Sequence, residues 1–211
     1  MLQPILHKLH NQRIVLASGS PRRQEILRNI GLKFEVITSK FEENFDKSLF
    51  SSPVDYVNET AKEKTLEVAN RLQGPGCPDI IIGADTVVSL GEKILEKPQD
   101  KNDAFTMLSS LSGKSHTVYT GMVILTKTDK QSKHPFDILQ FHEATDVVFG
   151  ELTPEIIHGY IETGEPMDKA GGYGIQALGG TLVQEIRGDY YNVVGFPLHH
   201  FCKQFLKLYA K

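Results

Sequence analysis

Short apolar runs alternate with segments of helical periodicity along almost all of the 211 residues. Apolar runs bounded by turn residues are typical of buried strands, whereas apolar residues three and four apart predict helices. Because both kinds mix along the whole chain, with one central hairpin, the pattern favours an α/β fold with a mixed sheet flanked by helices. Strands are predicted at residues 13–18, 34–38, 79–84, 116–126, 138–148 and 182–186, and residues 86–90 either continue the strand at 79–84 or pair with it. Helices are predicted at 21–30, 53–72, 101–111, 154–163 and 197–209.

The composition excludes several classes of protein. An apolar fraction of 40% and a charged fraction of 23% are ordinary for a folded globular domain. The net charge of -3 gives no general basic surface, so we expect no nucleic-acid partner. The apolar runs are shorter than the roughly 20 residues that cross a bilayer, so we expect no membrane span.

The cysteines and the N-terminus predict the compartment and the domain boundary. Cys77 and Cys202 fit no metal or redox spacing, which favours reduced thiols in a cytoplasmic protein. Residues 1–12 lack the apolar core of a secretory signal. A chain of this length fits one domain of two lobes. We therefore predict an N-terminal extension at 1–12 and a single domain at 13–211.

The segment Ser18-Gly-Ser-Pro-Arg-Arg23 joins a predicted strand to a predicted helix. Ser20 suits the N-cap and Pro21 the first helical position. Unpaired backbone N–H groups and the helix dipole attract anions at such a start, and Arg22 and Arg23 add donors that suit phosphate. From these residues alone, a phosphate site and a capped helix with two solvated arginines both stay open.

Asp85 follows the predicted strand at 79–84, which would put its carboxylate at the lip of the sheet, where α/β proteins hold ligands. Such a group could bind a divalent cation or activate water, although turn aspartates are common. Lys64 and Lys97 could reach a phosphate or could simply be solvated. Glu42 and Glu43 could be metal ligands or a solvated acidic pair.

Residues 164–181 form a glycine-rich segment. Glycine permits positive φ and close backbone approach, and a long segment without regular structure is usually functional or disordered. Asp168, Lys169, Tyr173 and Gln176 within it suggest a shaped pocket in which an aromatic ring gives a surface and an amide reads a base edge.

Together these segments resemble the Maf family of nucleotide pyrophosphatases. The resemblance rests on Leu16-Ala-Ser-Gly-Ser-Pro-Arg-Arg23, Glu59-Thr-Ala-Lys-Glu-Lys64, Ile82-Gly-Ala-Asp-Thr-Val-Val88, Leu95-Glu-Lys-Pro98, Leu111-Ser-Gly113 and Asp168-Lys-Ala-Gly-Gly-Tyr-Gly-Ile-Gln176. The late glycine-rich motif is most similar to the Maf-like domain that lies N-terminal in animal acetylserotonin O-methyltransferase-like proteins. The resemblance implies an elongated, two-lobed, Maf/ITPase-like α/β fold with a central cleft, and a homodimer.

The resemblance also implies roles for single residues. Asp85 would be the proton acceptor and, with Glu42, would associate with Mg²⁺ or Mn²⁺. Three positions that separate substrate types within the family match its dTTP/UTP type. These three positions are Arg22, Thr86 and Gln176. Phosphate would be bound by Ser18, Arg23, Lys64 and Lys97. Asp168 and Lys169 would make further contacts with the substrate.

The expected activity is hydrolysis of dTTP, UTP and related pyrimidine nucleotides at the α-phosphorus, which gives the monophosphate and pyrophosphate. The expected partner is therefore a small nucleotide. A catalytically silent nucleotide-binding module of a larger protein is the alternative. The retained charged residues at the site argue against that alternative.

Overall fold

Seven strands of the computed structural model, which describes residues 1–128 and 135–209, form one mixed sheet. The strand order is β2-β1-β3-β5-β6-β7, and β4 also pairs with β3. The first strand runs parallel to its two neighbours, and the other pairs are antiparallel. The strands are β1 (Ile14–Leu16), β2 (Glu35–Val36), β3 (Ile80–Leu90), β4 (Lys93–Leu95), β5 (Ser115–Lys127), β6 (Phe136–Phe149) and β7 (Val183–Arg187).

Helices flank this sheet, which confirms the predicted α/β fold. The five predicted helices are present to within two residues at each end, and the two shortest helices were not predicted. Strands β5 and β6 form the predicted hairpin, but residues 129–134 of its turn lie outside the described residues. The helices are α1 (Leu6–Leu9), α2 (Pro21–Asn29), α3 (Pro53–Arg71), α4 (Lys101–Leu111), α5 (Pro154–Glu162), α6 (Tyr190–Val194) and α7 (Leu198–Tyr209).

Helix α2 begins where it was predicted. Ser20 occupies the N-cap position and Pro21 is the first helical residue, which confirms both predictions, although the Ser20 side chain makes no capping hydrogen bond. Proline at the first position, with its preset φ, is the local feature that favours the helix start.

Strand β3 is continuous through Asp85, which confirms the alternative in which residues 86–90 continue the strand at 79–84. The placement of Asp85 at the end of a strand was wrong. β5 pairs with β3 from Ile80 to Ser89 and holds it extended. The parallel neighbour β1 pairs only as far as Ile82. An edge therefore opens beside Asp85 because β1 ends, not because β3 does.

Helix α3 packs unusually close to the sheet, and two glycines make this possible. A Cβ atom on Gly83 would lie 1.8 Å from Oγ1 of Thr65, and one on Gly121 would lie 2.7 Å from the carbonyl oxygen of Val57. Side chains alternate between the faces of a strand, so Asp85 shares the face of Gly83. The close approach brings α3 side chains within reach of that carboxylate.

The buried apolar side chains of the described residues form four clusters, and two of these are large. One contains Ile82 and Phe201, together with Leu2, Ile5 and Leu9 from the predicted N-terminal extension. The residues that characterise the other are Leu95, Leu108, Phe149, Ile161 and Tyr173. Among the described residues, no helix has the length and apolar character needed to cross a membrane.

Candidate active site

A cavity of about 740 Å³ lies at the open edge of β3. Strand β1 leaves this edge after Ile82, and β4 joins it at Val88. Between these points, no strand of the described chain pairs with the edge. Side chains from both faces of β3 therefore reach the cavity, Asp85 from one and Thr86 from the other. The volume is in the range of small-molecule sites.

Residues from five segments converge on this cavity. They come from the start of α2, from α3, from β3, from the turn after β4 and from the glycine-rich segment. The predicted site residues that line it are Ser18, Arg22, Arg23, Lys64, Asp85, Thr86, Lys97, Asp168, Lys169 and Gln176. Five of these are cations, which suits a ligand that carries several negative charges.

Lys64 lies between two carboxylates at the wall of the cavity. Its Nζ atom is 2.7 Å from Oδ1 of Asp85 and 2.7 Å from Oε1 of Glu43. The side chains of Lys64 and Asp85 are only 18% and 11% exposed, so the charges interact with little screening by water. The ion pair fixes the orientation of the Asp85 carboxylate at the open edge of β3.

Glu43, not Glu42, contacts this group. Glu42 is exposed and does not line the cavity. The two glutamates are adjacent in a segment without helical or strand periodicity, so no local pattern distinguishes one from the other. A role for Glu42 beside a metal stays a prediction. Glu43, in contrast, lies beside Lys64 and Asp85, where its carboxylate could contribute to a metal site.

The Arg23 guanidinium binds protein groups around the open edge of β3. It donates to the carbonyl oxygens of Ala84 at 2.7 Å and Gly195 at 2.8 Å, and to the hydroxyls of Ser18 at 3.0 Å and Thr86 at 2.9 Å. Burial lowers the pKa of Arg23 to about 10, against the opposing effect of the Asp85 charge. Arg23 therefore remains charged at neutral pH and supports the cavity wall.

Thr86 faces the cavity with its hydroxyl already engaged. The oxygen accepts from Arg23 and lies 2.9 Å from the hydroxyl oxygen of Thr120. This arrangement fixes the rotamer of Thr86. Gln176, in contrast, is exposed at the rim, where its amide is accessible to a ligand.

Arg22 and the glycine-rich segment meet across the cavity. Arg22 lies 3.3 Å from Asp168, whose other carboxylate oxygen is 2.6 Å from Nζ of Lys169. Burial alone would raise the pKa of Asp168, but the hydrogen bond from Lys169 and the two positive charges outweigh it and hold the pKa below its ordinary value. Residues predicted as an irregular loop form three short 3-10 helices here, Glu165–Asp168, Ala170–Gly172 and Leu178–Leu182.

Glu96 is a cavity residue to which the sequence analysis gave no role. Its carboxylate accepts a hydrogen bond from the Tyr56 hydroxyl and another from Nζ of Lys47 at 2.6 Å. The one sequence feature that could have indicated Glu96 is its position beside Lys97 in the motif Leu95-Glu-Lys-Pro98. Its partners lie 49 and 40 residues away, beyond the range of any local pattern.

The donor set can be compared with what a divalent cation needs. In the described part of the chain, no three Asp, Glu, His or Cys residues form a metal-binding group. Asp85 and Glu43 nevertheless provide two carboxylates at the cavity wall. Mg²⁺ commonly takes one or two protein carboxylates and completes its shell with water and substrate phosphates. The residues therefore fit Mg²⁺ or Mn²⁺ that is bound together with a triphosphate.

Residues 13–208 match the family model described as Maf-like protein. The chain belongs to the Maf family. The human protein named "Probable bifunctional dTTP/UTP pyrophosphatase/methyltransferase protein" is 56% identical over an alignment of 211 residues. The alignment covers 99% of this chain and 34% of that protein. The chain thus spans about a third of the length of this human relative.

Bacterial Maf relatives match over most of their own length. A dTTP/UTP pyrophosphatase of Clostridium perfringens is 47% identical over 192 residues, 90% of this chain and 94% of that protein. A dTTP/UTP pyrophosphatase of Bacillus anthracis is 45% identical over 193 residues, 92% of this chain and 94% of that protein.

Proposed function

We propose that this protein hydrolyses dTTP, UTP and related pyrimidine nucleoside triphosphates to the monophosphate and pyrophosphate. The observation that carries the proposal is the Asp85–Lys64 pair at the wall of a cavity lined by five cations. The names of the bacterial relatives support the choice of substrate, because those proteins are 45–47% identical over 94% of their length.

In this mechanism Asp85 accepts a proton from a water molecule as the water oxygen attacks the α-phosphorus. The bond from the α-phosphorus to the bridging oxygen of the β-phosphate breaks, and pyrophosphate leaves with that oxygen. Lys64 orients Asp85 through its ion pair. Lys97, Lys169 and Arg22 compensate the charge that grows on the leaving pyrophosphate.

Asp85, with Glu43 or the predicted Glu42, would hold Mg²⁺ or Mn²⁺, which when bound supplies positive charge to the phosphates and lowers the pKa of water. The base would be selected by hydrogen bonds from Gln176, whose amide is accessible at the rim, and from Thr86. A site built to hydrogen-bond a base rejects an analogue that lacks the matching group far better than an apolar pocket does.

Pyrophosphate release from a panel of dTTP, UTP, CTP, ATP, GTP and 7-methyl-GTP tests the proposal. We expect one pyrophosphate and one monophosphate per turnover, with the highest kcat/KM for dTTP or UTP. Calorimetric titration of the same nucleotides distinguishes a silent binding module, which would bind a triphosphate without releasing pyrophosphate. Such binding without turnover at any metal concentration would refute the activity.

The proposal includes a cytoplasmic homodimer that acts on free nucleotides and binds no nucleic acid. Its support is the family resemblance, the net charge of -3 and the absence of a disulfide, since Cys77 and Cys202 are both free. Sedimentation velocity measures the assembly, fractionation of cells measures the location, and a filter-binding assay with DNA and RNA measures nucleic-acid affinity. A monomer, a secreted protein or tight nucleic-acid binding would each contradict one part.

A further inference from the structure

We infer that the ion pair between Lys47 and Glu96 positions the segment 40–50, which carries Glu43, against the cavity. Glu96 and Lys47 are then positioning residues for the hydrolysis, an inference that rests on the proposed function. Neither has an assigned role among the predicted site residues.

Both carboxylate oxygens of Glu96 are engaged by protein donors. Oε1 accepts from the hydroxyl of Tyr56, a residue that is only 1% exposed, and Oε2 accepts from Nζ of Lys47 at 2.6 Å. Burial would raise the pKa of Glu96, but the hydrogen bonds from Lys47 and Tyr56 and the charge of Lys64 outweigh it, so the carboxylate stays ionised. Glu96 therefore anchors Lys47 beside Tyr56.

The Lys47–Glu96 pair affects the position of Glu43 because both contacts lie along α3. Tyr56 and Lys64 lie on the same helix, eight residues apart, which corresponds to about 12 Å along the axis. Glu43 binds Lys64, and Lys47 binds the Glu96 carboxylate beside Tyr56. Four residues from 43 to 47 span at most about 14 Å when extended. Only these four residue steps connect the two charged anchors, so a displacement of Lys47 is passed on to Glu43.

The rest of the segment is attached at its beginning and its end. At the beginning, Ser39 and Lys40 donate to the Glu67 carboxylate at 3.1 and 2.9 Å. At the end, Phe50 packs edge-on against Tyr56, with ring centroids 5.3 Å apart. The Lys47–Glu96 pair is the charged anchor between these ends that lies next to Glu43. Removing it frees Glu43 to leave Lys64 without unfolding the segment's ends.

The test uses Lys47→Met, Glu96→Gln, the double variant and Lys47→Arg, assayed for pyrophosphate release with dTTP. Because misplacement of a catalytic group can cost a hundredfold, we expect kcat to fall about tenfold in each single variant, with KM for dTTP within about twofold. The double variant should lose no more than either single variant, since both remove one interaction. Lys47→Arg should restore most of kcat. Lys101→Met and Glu162→Gln, from an exposed pair of similar length outside the cavity, are the matched controls.

Limited chymotrypsin digestion gives a readout that does not depend on activity. Phe41, Phe45 and Phe50 are cleavage sites within the segment. We expect several-fold faster cleavage there in Lys47→Met and Glu96→Gln than in wild type and in the control variants. Unchanged digestion, or losses in kcat that multiply in the double variant, would overturn the inference. If wild type releases no pyrophosphate, the proposed function fails by itself, and the digestion still decides whether the pair holds the segment.

Discussion

Nζ of Lys64 lies 2.7 Å from Oδ1 of Asp85, and both side chains are largely withdrawn from solvent. Burying two charges costs desolvation energy that their attraction only partly returns, so the pair contributes little to the free energy of unfolding and its position calls for a functional explanation. The pair lies where β1 ends and the edge of β3 opens into the cavity. A fixed carboxylate at that edge is the feature on which the proposed hydrolysis depends.

Asp85→Asn should abolish most of the turnover and leave the fold intact. The amide is similar in size but cannot accept the proton of water, and removing a general base typically costs 10²–10⁴-fold in rate, so kcat should fall by about that factor. The measurements are pyrophosphate release and calorimetric binding of dTTP, which should persist. Asp137→Asn, an exposed aspartate outside the cavity, should retain full activity. Near-normal kcat for Asp85→Asn would remove the residue from the mechanism.

Glu43→Gln and Glu42→Gln should differ sharply although the residues are neighbours. Glu43 contacts Lys64 beside Asp85, whereas Glu42 is exposed outside the cavity. A misplaced or missing catalytic group costs up to about a hundredfold, so we expect kcat to fall about tenfold or more for Glu43→Gln and to stay within about twofold for Glu42→Gln. The reverse order in the pyrophosphate assay would favour the assignment made from the sequence.

Arg23→Lys should destabilise the protein far more than Arg22→Lys. A lysine cannot reach all four acceptors of Arg23, and the Ala84 and Gly195 carbonyls would lose their donor. The cost of unsatisfied buried groups is about 2 kcal/mol in the free energy of unfolding. Arg22 makes one partly exposed ion pair, worth about 0.5 kcal/mol or less. Urea denaturation measures both, and equal losses would show that the Arg23 network contributes little.

His116 should make stability depend on pH between about 4 and 6.5. Burial lowers the pKa of His116 from its ordinary value of 6.5 to about 4, and its Nε2 lies 2.8 Å from the Tyr173 hydroxyl. Between these values the unfolded chain binds a proton that the folded chain does not. The contribution is therefore complete above pH 6.5 and is lost as the pH falls towards 4, by up to about 3 kcal/mol.

The measurement is the free energy of unfolding at several pH values in wild type, His116→Gln and His7→Gln. Carboxylates also contribute to the wild-type slope, so the difference between variants isolates the histidine. His116→Gln should flatten the dependence in this range, and the exposed His7→Gln should not. Parallel curves for wild type and His116→Gln would contradict the assigned cause.

The sequence by itself determined most of the elements and most of the site. Helical periodicity and proline at the first turn are local, so α3, α4 and α5 could be placed to within a residue or two. The motifs around Arg22, Lys64 and Gln176 indicated residues that do line the cavity, because they match motifs of the Maf family in the same order along the chain.

Only the tertiary structure decided which of these residues touch. Arg23 binds the Gly195 carbonyl 172 positions away, and Glu96 is held by Tyr56 and Lys47. Local patterns also did not decide whether Glu42 or Glu43 lies beside Lys64, or whether the strand continues through Asp85. The physical reason is that these contacts depend on strand register and on the close packing of α3 over glycines. Both are set by pairing between distant segments rather than by local preference.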